Sequence, residues 1–211
     1  MTKQETAIKY ITENYLDFNR LRHDVVADKL QVRLLGDEAK GKRQEYWKEL
    51  SKHDINSIVC HAAQEYDQNI TSREVLTALQ SDLIPQVHPL REYVLSCGEW
   101  TEEQPDWIDW VAQQVTVKPL GDEAKGDKAR GDGLWRGCFK KWFVAMVASW
   151  MKDEVVNHQV LVLIGKQGIF KTTWLEHLIP PHLRAYACKL ANSNDLNKDE
   201  RLRIAEFGLI S

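Results

Sequence analysis

The 211-residue chain has no long hydrophobic run. Its run VLVLI at 160–164 falls far short of the roughly 20 apolar residues that a bilayer-spanning helix takes, so no membrane segment is expected. The opening MTKQETAIKY lacks the apolar stretch of a secretory leader. Cysteine is scarce: Cys60, Cys97, Cys138 and Cys188 lie far apart with no CxxC spacing. That excludes a disulfide framework and implies reduced thiols in a cytoplasmic protein. An excess of one charge is missing as well, with 28 Lys+Arg against 31 Asp+Glu and a net charge of -3. A polybasic protein held to nucleic acid by bulk charge alone is thereby excluded. The seven histidines (His23, His53, His61, His88, His158, His177, His182) show no HExxH or paired-ligand spacing, so no zinc site is expected. No local context pairs a cysteine nucleophile with a histidine base.

What is present is ordinary for a globular chain: 43% hydrophobic and 28% charged residues, enough for one sizeable domain or one and a half small ones. Charge is unevenly shared. Residues 1–118 hold 14 basic against 20 acidic side chains, and residues 119–211 hold 14 against 11. Two readings are open: a preference of any polyanion for the C-terminal part, or random scatter of charge over the two halves.

Periodicity orders the elements. Ile8, Ile11 and Tyr15 share a helical face near the start. Phe18, Leu21, Leu30, Val32 and Leu34 partly alternate with polar residues, which predicts two strands around a turn at about 26–29. From Tyr46 onward, Ile55, Ile58, Val59 and Ala62 give helical spacing, with Asp54 as candidate N-cap. Thr71 or Ser72 caps a further helix through Val75, Leu76 and Leu79, with Glu74 completing a capping box. Pro85 and Pro89 mark a loop before a short helix through Leu90, Tyr93, Val94 and Cys97. Pro105 is placed in the first turn of the helix carrying Trp107, Ile108, Trp110 and Val111. Residues 119–133, with four glycines, read as a flexible solvated loop. The heptapeptide LGDEAKG occurs at 35–41 and again at 120–126, and neither copy has anything to bury. Trp135, Phe139, Trp142, Phe143, Met146, Val147 and Trp150 then recur at helical spacing. They predict a buried packing helix rather than a base-stacking platform.

Residues 157–180, NHQVLVLIGKQGIFKTTWLEHLIP, carry the chemistry. VLVLI has the composition of a strand buried on both faces of a parallel sheet. It runs into Gly165-Lys166-Gln167-Gly168-Ile169-Phe170-Lys171-Thr172-Thr173, then into a helix through Trp174, Leu175 and Leu178 that stops at Pro180. Strand, glycine loop, Lys-Thr and helix is the order of a phosphate-binding loop, GxxxxGK[ST]. Glycines let backbone N–H groups turn toward an anion, and the helix start adds its unpaired donors. Lys171 supplies a point charge for the β and γ phosphates, and the Thr172 hydroxyl a ligand for Mg²⁺. Gly165 starts the turn and Gly168 admits the phosphates. Phe170 stands where the pattern has its second glycine, so its side chain must point away from the anion.

The stretch from WFVAMVASW through this loop to LIPPHLRAY resembles the ATPase domain of the virulence-associated protein E (VirE-like) family, primase-helicase-type proteins of phages, plasmids and integrative elements. The match falls on Gly165, Gln167, Gly168, Lys171, Thr172, Thr173 and Trp174, and the resemblance is specific over about 135–211. It implies an ASCE-type P-loop NTPase, related to superfamily 3 helicases and AAA+ folds, that uses ATP and Mg²⁺ to move or remodel DNA. It also implies a homo-oligomeric ring and a primase domain or partner. The family's Walker B acids follow an apolar strand, which here starts at Phe207–Ile210 after a helix over about 198–205. They are expected beyond Ser211, with Glu206 at the wrong end of the strand to replace them, so the chain is expected to bind nucleotide weakly and not to hydrolyse it. Arg184 and Lys189 read as solvated loop residues.

The expected fold is thus mixed. A mainly α-helical region with a small β-hairpin spans 1–118, a Gly-rich loop spans 119–133, and an incomplete α/β P-loop NTPase core spans 134–211. The leading functional expectation is a DNA-dependent ATPase of helicase type. Two alternatives are a nucleotide-dependent binding or switch module, and a primase or DNA-loading adapter in residues 1–118.

Overall fold

Three helices start with the same local device, a hydroxyl and a carboxylate three residues apart that satisfy each other's backbone N–H groups. In the computed structural model, which describes residues 1–34, 46–117, 128–188 and 209–210, Thr2 caps α1 (Lys3–Ile11) and donates its backbone N–H to Glu5 at 2.7 Å. Ser51 caps α2 (Lys52–Glu65), with Asp54 as its reciprocal partner at 2.8 Å. Thr71 caps α3 (Ser72–Leu79), with Glu74 accepting from its N–H at 3.0 Å. Asp54 is therefore the third helical residue and not the cap. Hydrogen bonds from the Ser51 side chain and backbone, with Lys48 adding its charge, hold the Asp54 carboxyl down at about 2. A π-helical turn, Thr12–Leu16, prolongs α1.

The expected hairpin forms as β1 (Leu21–Asp24) and β2 (Lys29–Leu34), antiparallel with Leu21 opposite Val32. It is part of a larger sheet. β3 (Tyr46–Glu49) adds antiparallel to β2, and β4 (Gln86–Val87) adds parallel to β1, giving the order β3-β2-β1-β4. Residues 46–49 thus depart from the helical spacing expected there, because the backbone groups of β2 offer them a ladder. Tyr10, Ile11, Leu21, Ile58, Val75, Leu79 and Ile84 form the core of this unit, which comprises residues 1–89 and the described part of 185–210. Asp24 is fully buried in it. Its Oδ1 accepts from the amides of Val26 and Ala27 at 3.0 and 3.2 Å. Its Oδ2 accepts from Gln31 at 3.0 Å and from the Tyr186 hydroxyl. Four donors account for the lone pairs of the carboxylate, so burial leaves none of them unmet. Burial and that contact push the Tyr186 phenol above its ordinary range.

A second unit comprises residues 90–184. α4 (Pro89–Ser96) is tied to α6 (Lys128–Met151) by Arg91, whose Nε donates to the Trp150 carbonyl at 3.0 Å. α5 (Trp107–Gln113) is capped by Asp106, which accepts from the Asp109 amide at 3.0 Å. Pro105 therefore precedes the cap instead of opening the helix. α5 lies along α6 through the Trp135 indole donating to the Ala112 carbonyl at 2.9 Å, a forked Arg136–Asp109 pair, and Lys140–Asp106 at 2.6 Å. α6 buries Phe139, Trp142, Met146 and Trp150, as a packing helix should. It begins earlier than its glycines suggest: residues 128–133, expected in a loop, are helical. Each glycine costs only about 1 kcal/mol in a helix, which a packed aromatic face further along outweighs.

The apolar run is the main correction. Residues 160–164 form no strand, and Val160, Val162 and Ile164 are 84%, 69% and 94% exposed. A continuous apolar run states a demand for burial on two faces but does not supply the neighbours that would meet it. Further on, α7 (Lys171–Glu176) and a 3₁₀ turn, Pro181–Tyr186, precede β5 (Ala187–Cys188). β5 pairs parallel with β6 (Leu209–Ile210), which falls inside the strand expected over 207–210. Both LGDEAKG copies, the helix expected over 198–205, Lys189 and Glu206 lie outside the described residues. No helix among the described residues is long and apolar enough to cross a membrane.

Candidate functional site

The glycines of the loop have separate reasons. A Cβ at Gly165 would come within 2.7 Å of Ile169 Cδ1, so a side chain there would make the exposed Ile169 side chain shift. Gly168 has open space around it but a φ of +83°, a conformation that side-chain-bearing residues rarely adopt. Phe170 is held in the same left-handed region, with φ 57° and ψ 26°, immediately before α7. A glycine takes that conformation without penalty, whereas an L-residue loses roughly 1–2 kcal/mol. The position thus asks for the glycine that the phosphate-loop pattern specifies. Phe170 is 75% exposed.

Lys171 closes the turn. Its Nζ donates to the carbonyls of Gly165 at 3.0 Å and Lys166 at 2.8 Å, which draws the entry of the loop over the start of α7. An ammonium has three donors, and these contacts take two. The two entry carbonyls thus face the ammonium. Gln167 and Gly168 form a hydrogen-bonded turn at the tip of the loop. Thr172 is half-buried and Thr173 exposed. The Thr173 carbonyl accepts from His177 Nδ1 at 2.7 Å. Lys171 is thus brought to Gly165 and Lys166, and residues 165–170 are all exposed. Among the described residues no three His, Cys, Asp or Glu side chains converge as a metal site.

One feature beside the loop went unmarked in the sequence. α5, α6 and α7 enclose a cleft of about 330 Å³ walled by Trp107, Trp110, Phe139, Phe143, Trp174 and His177. Trp107 and Trp110 are carried by α5 as its spacing predicts. They are 55% and 53% exposed, edge to face with ring centroids 6.1 Å apart. Their i, i+3 spacing in WIDW was the available signal, since it puts both indoles on one side of a short helix.

No curated protein matches the chain. The family model of the Virulence-associated protein E-like domain matches residues 127–208. That span takes in α6, the glycine loop and α7. Over residues 127–208, the chain is similar to the virulence-associated protein E-like domain.

Proposed function

We propose that this chain is the nucleotide-binding part of a DNA-dependent ATPase of primase-helicase type, built on a P-loop NTPase core over 134–211 and preceded by an accessory region over 1–118. The loop Gly165–Thr173 holds ATP with Mg²⁺. The observation that carries the reading is the conformation around Lys171, whose ammonium is tied to the Gly165 and Lys166 carbonyls with a donor to spare. Gln167 and Gly168 form the exposed turn beside it, with Gly168 at a φ of +83°. Backbone N–H groups of such a turn beside a fixed cation favour an anion with several oxygens. The residues present fit ATP–Mg²⁺: Lys171 and the amides from Gln167 onward take the phosphate oxygens, and the Thr172 hydroxyl takes the metal. Bound Mg²⁺ supplies neutralisation of the phosphate charge. In the assembled protein the reading extends to a homo-oligomeric ring acting on DNA with a primase domain or partner.

The test is a calorimetric titration of the chain with ATP and Mg²⁺, with and without Lys171→Ala. A charge-assisted hydrogen bond contributes about 1.5–3 kcal/mol, so the variant is expected to bind at least tenfold more weakly. Equal affinity of the two proteins refutes the assignment.

A further inference from the structure

We propose that α5 and the turn before it, residues 99–110, form a docking surface for an arginine-bearing segment of a partner protein. Indoles make the surface. Trp100, Trp107 and Trp110 each keep more than half their area in water. Trp107 and Trp110 also wall the cleft of about 330 Å³ with Phe139, Phe143 and Trp174, and no residue of 165–173 lines it. Three exposed indoles so close in the chain, two of them walling an apolar cleft, exceed the scattered apolar side chains that a surface ordinarily carries.

Charge selects what lies on that surface. Residues 92–117 hold six carboxylates (Glu92, Glu99, Glu102, Glu103, Asp106 and Asp109) and no Lys, Arg or His. The remainder of 1–118 is balanced, with 14 acidic against 14 basic side chains. The acidic excess of residues 1–118 is thus concentrated on the stretch that carries the indoles. Two of the six are committed within the unit: Asp106 pairs with Lys140 and Asp109 with Arg136, which fixes α5 on α6. Glu99, Glu102 and Glu103 are exposed and make no ion pair among the described residues. The Gln104 amide donates to the Thr101 carbonyl at 2.9 Å, which sets Glu102 and Glu103 at the two central positions of a turn.

An anionic partner, nucleic acid or lipid headgroup, is repelled by such a surface. A cleft of this volume accommodates one or two side chains, fewer than the i, i+3, i+4 and i+7 anchors of a docked helix. Arginine meets both features. Its planar guanidinium stacks on an indole face and reaches a carboxylate with two parallel donors, whereas a lysine ammonium is a strongly hydrated point charge. The chain holds the same pairing elsewhere, with the Arg22 guanidinium 4.0 Å from the centroid of the Trp47 ring. The occupant is therefore an extended segment whose arginines reach the indoles and the Glu102–Glu103 turn, with an apolar side chain for the cleft.

The experiment titrates the full chain with short synthetic peptides that carry a central leucine and, at alternate positions, arginine, lysine or glutamate, following tryptophan fluorescence and heat. The arginine peptide is expected to shift indole emission and to bind at least about fivefold more tightly than the lysine peptide, and the glutamate peptide not to bind. Added salt should weaken the arginine peptide several-fold. Trp107→Ala and Trp110→Ala are each expected to weaken it about fivefold or more, with Trp110→Phe restoring part of the loss. Glu102→Gln combined with Glu103→Gln, on an exposed turn where folding is not at stake, is expected to weaken it about threefold. Equal binding of the arginine and lysine peptides overturns the proposal, because bulk charge would then suffice. Failure of the arginine peptide to bind, or binding that the Trp and Glu variants leave unchanged, overturns it as well. Self-association of the chain that Trp110→Ala abolishes, without peptide binding, assigns the surface to a second copy and overturns the basic partner.

Discussion

The unit built on residues 1–89 and the unit of residues 90–184 respond differently to the same cue. In the first, apolar periodicity ends in burial: Ile58, Val75 and Leu79 are all but inaccessible, and even the charged Asp24 is enclosed with all its acceptors met. In the second, α6 buries one aromatic face, yet the stretch before the glycine loop and the indoles of α5 stay in water. An apolar pattern therefore specifies a requirement, and the surrounding fold determines whether that requirement is met. The first unit is organised for stability. The second keeps apolar surface exposed and left-handed backbone at Phe170.

The contrast is sharpest in paired truncations. Leu79→Ala removes a fully buried side chain and is expected to cost about 2–5 kcal/mol, read from the shift of the urea unfolding midpoint. Val160→Ala, at an 84% exposed position, should change stability by no more than about 0.5 kcal/mol. Similar losses for the two would erase the distinction between the units.

Next in size is the capping box of α2. Ser51→Ala is expected to cost about 1 kcal/mol at neutral pH, because it removes the acceptor for the Asp54 amide. It also removes a hydrogen bond that lowers the Asp54 carboxyl. A carboxyl depressed to about 2 in the folded state stabilises above its unfolded value near 4, and that contribution is lost as pH falls from about 4 to 2. The unaltered chain should therefore show a steeper loss of stability across that window than Ser51→Ala. Parallel acid limbs would show that the box adds nothing to the pH dependence.

The smallest effect belongs to the loop. Phe170→Gly relieves a left-handed conformation at roughly 1–2 kcal/mol while adding chain entropy of about 0.5–1 kcal/mol to the unfolded state. The net expectation is a gain below about 1 kcal/mol in the second unit, measured by thermal unfolding, with no weakening of ATP binding. A clear loss of stability would mean that the ring makes packing contacts which its exposure does not suggest.

Much of the local structure was legible. Thr71 with Glu74, the β1–β2 hairpin and the aromatic stripe of α6 follow from spacing within a few residues. Near misses share a cause. Asp54 and Ser51 have equal capping chemistry, and only the backbone path chose Ser51. The four residues of β3 are too few for alternation to stand out against the helical pattern that follows. For the candidate site, the order of Gly165, Gly168, Lys171 and Thr172 was readable. That Lys171 would gather the Gly165 and Lys166 carbonyls was not, since it depends on the closed shape of the turn.

The amino-acid sequence by itself determined the Thr71–Glu74 capping box, the aromatic face of α6 and the spacing of glycines before Lys171, because these act through hydrogen bonds and side-chain neighbours within one or two turns. Only the tertiary structure decided that Tyr186 would complete the shell of Asp24 from 162 positions away. It alone placed Val160, Val162 and Ile164 in water, and opened a cleft between Trp110 and Trp174. Those outcomes depend on which distant segments become neighbours, and a pattern of residue types carries the demand for a neighbour without naming it.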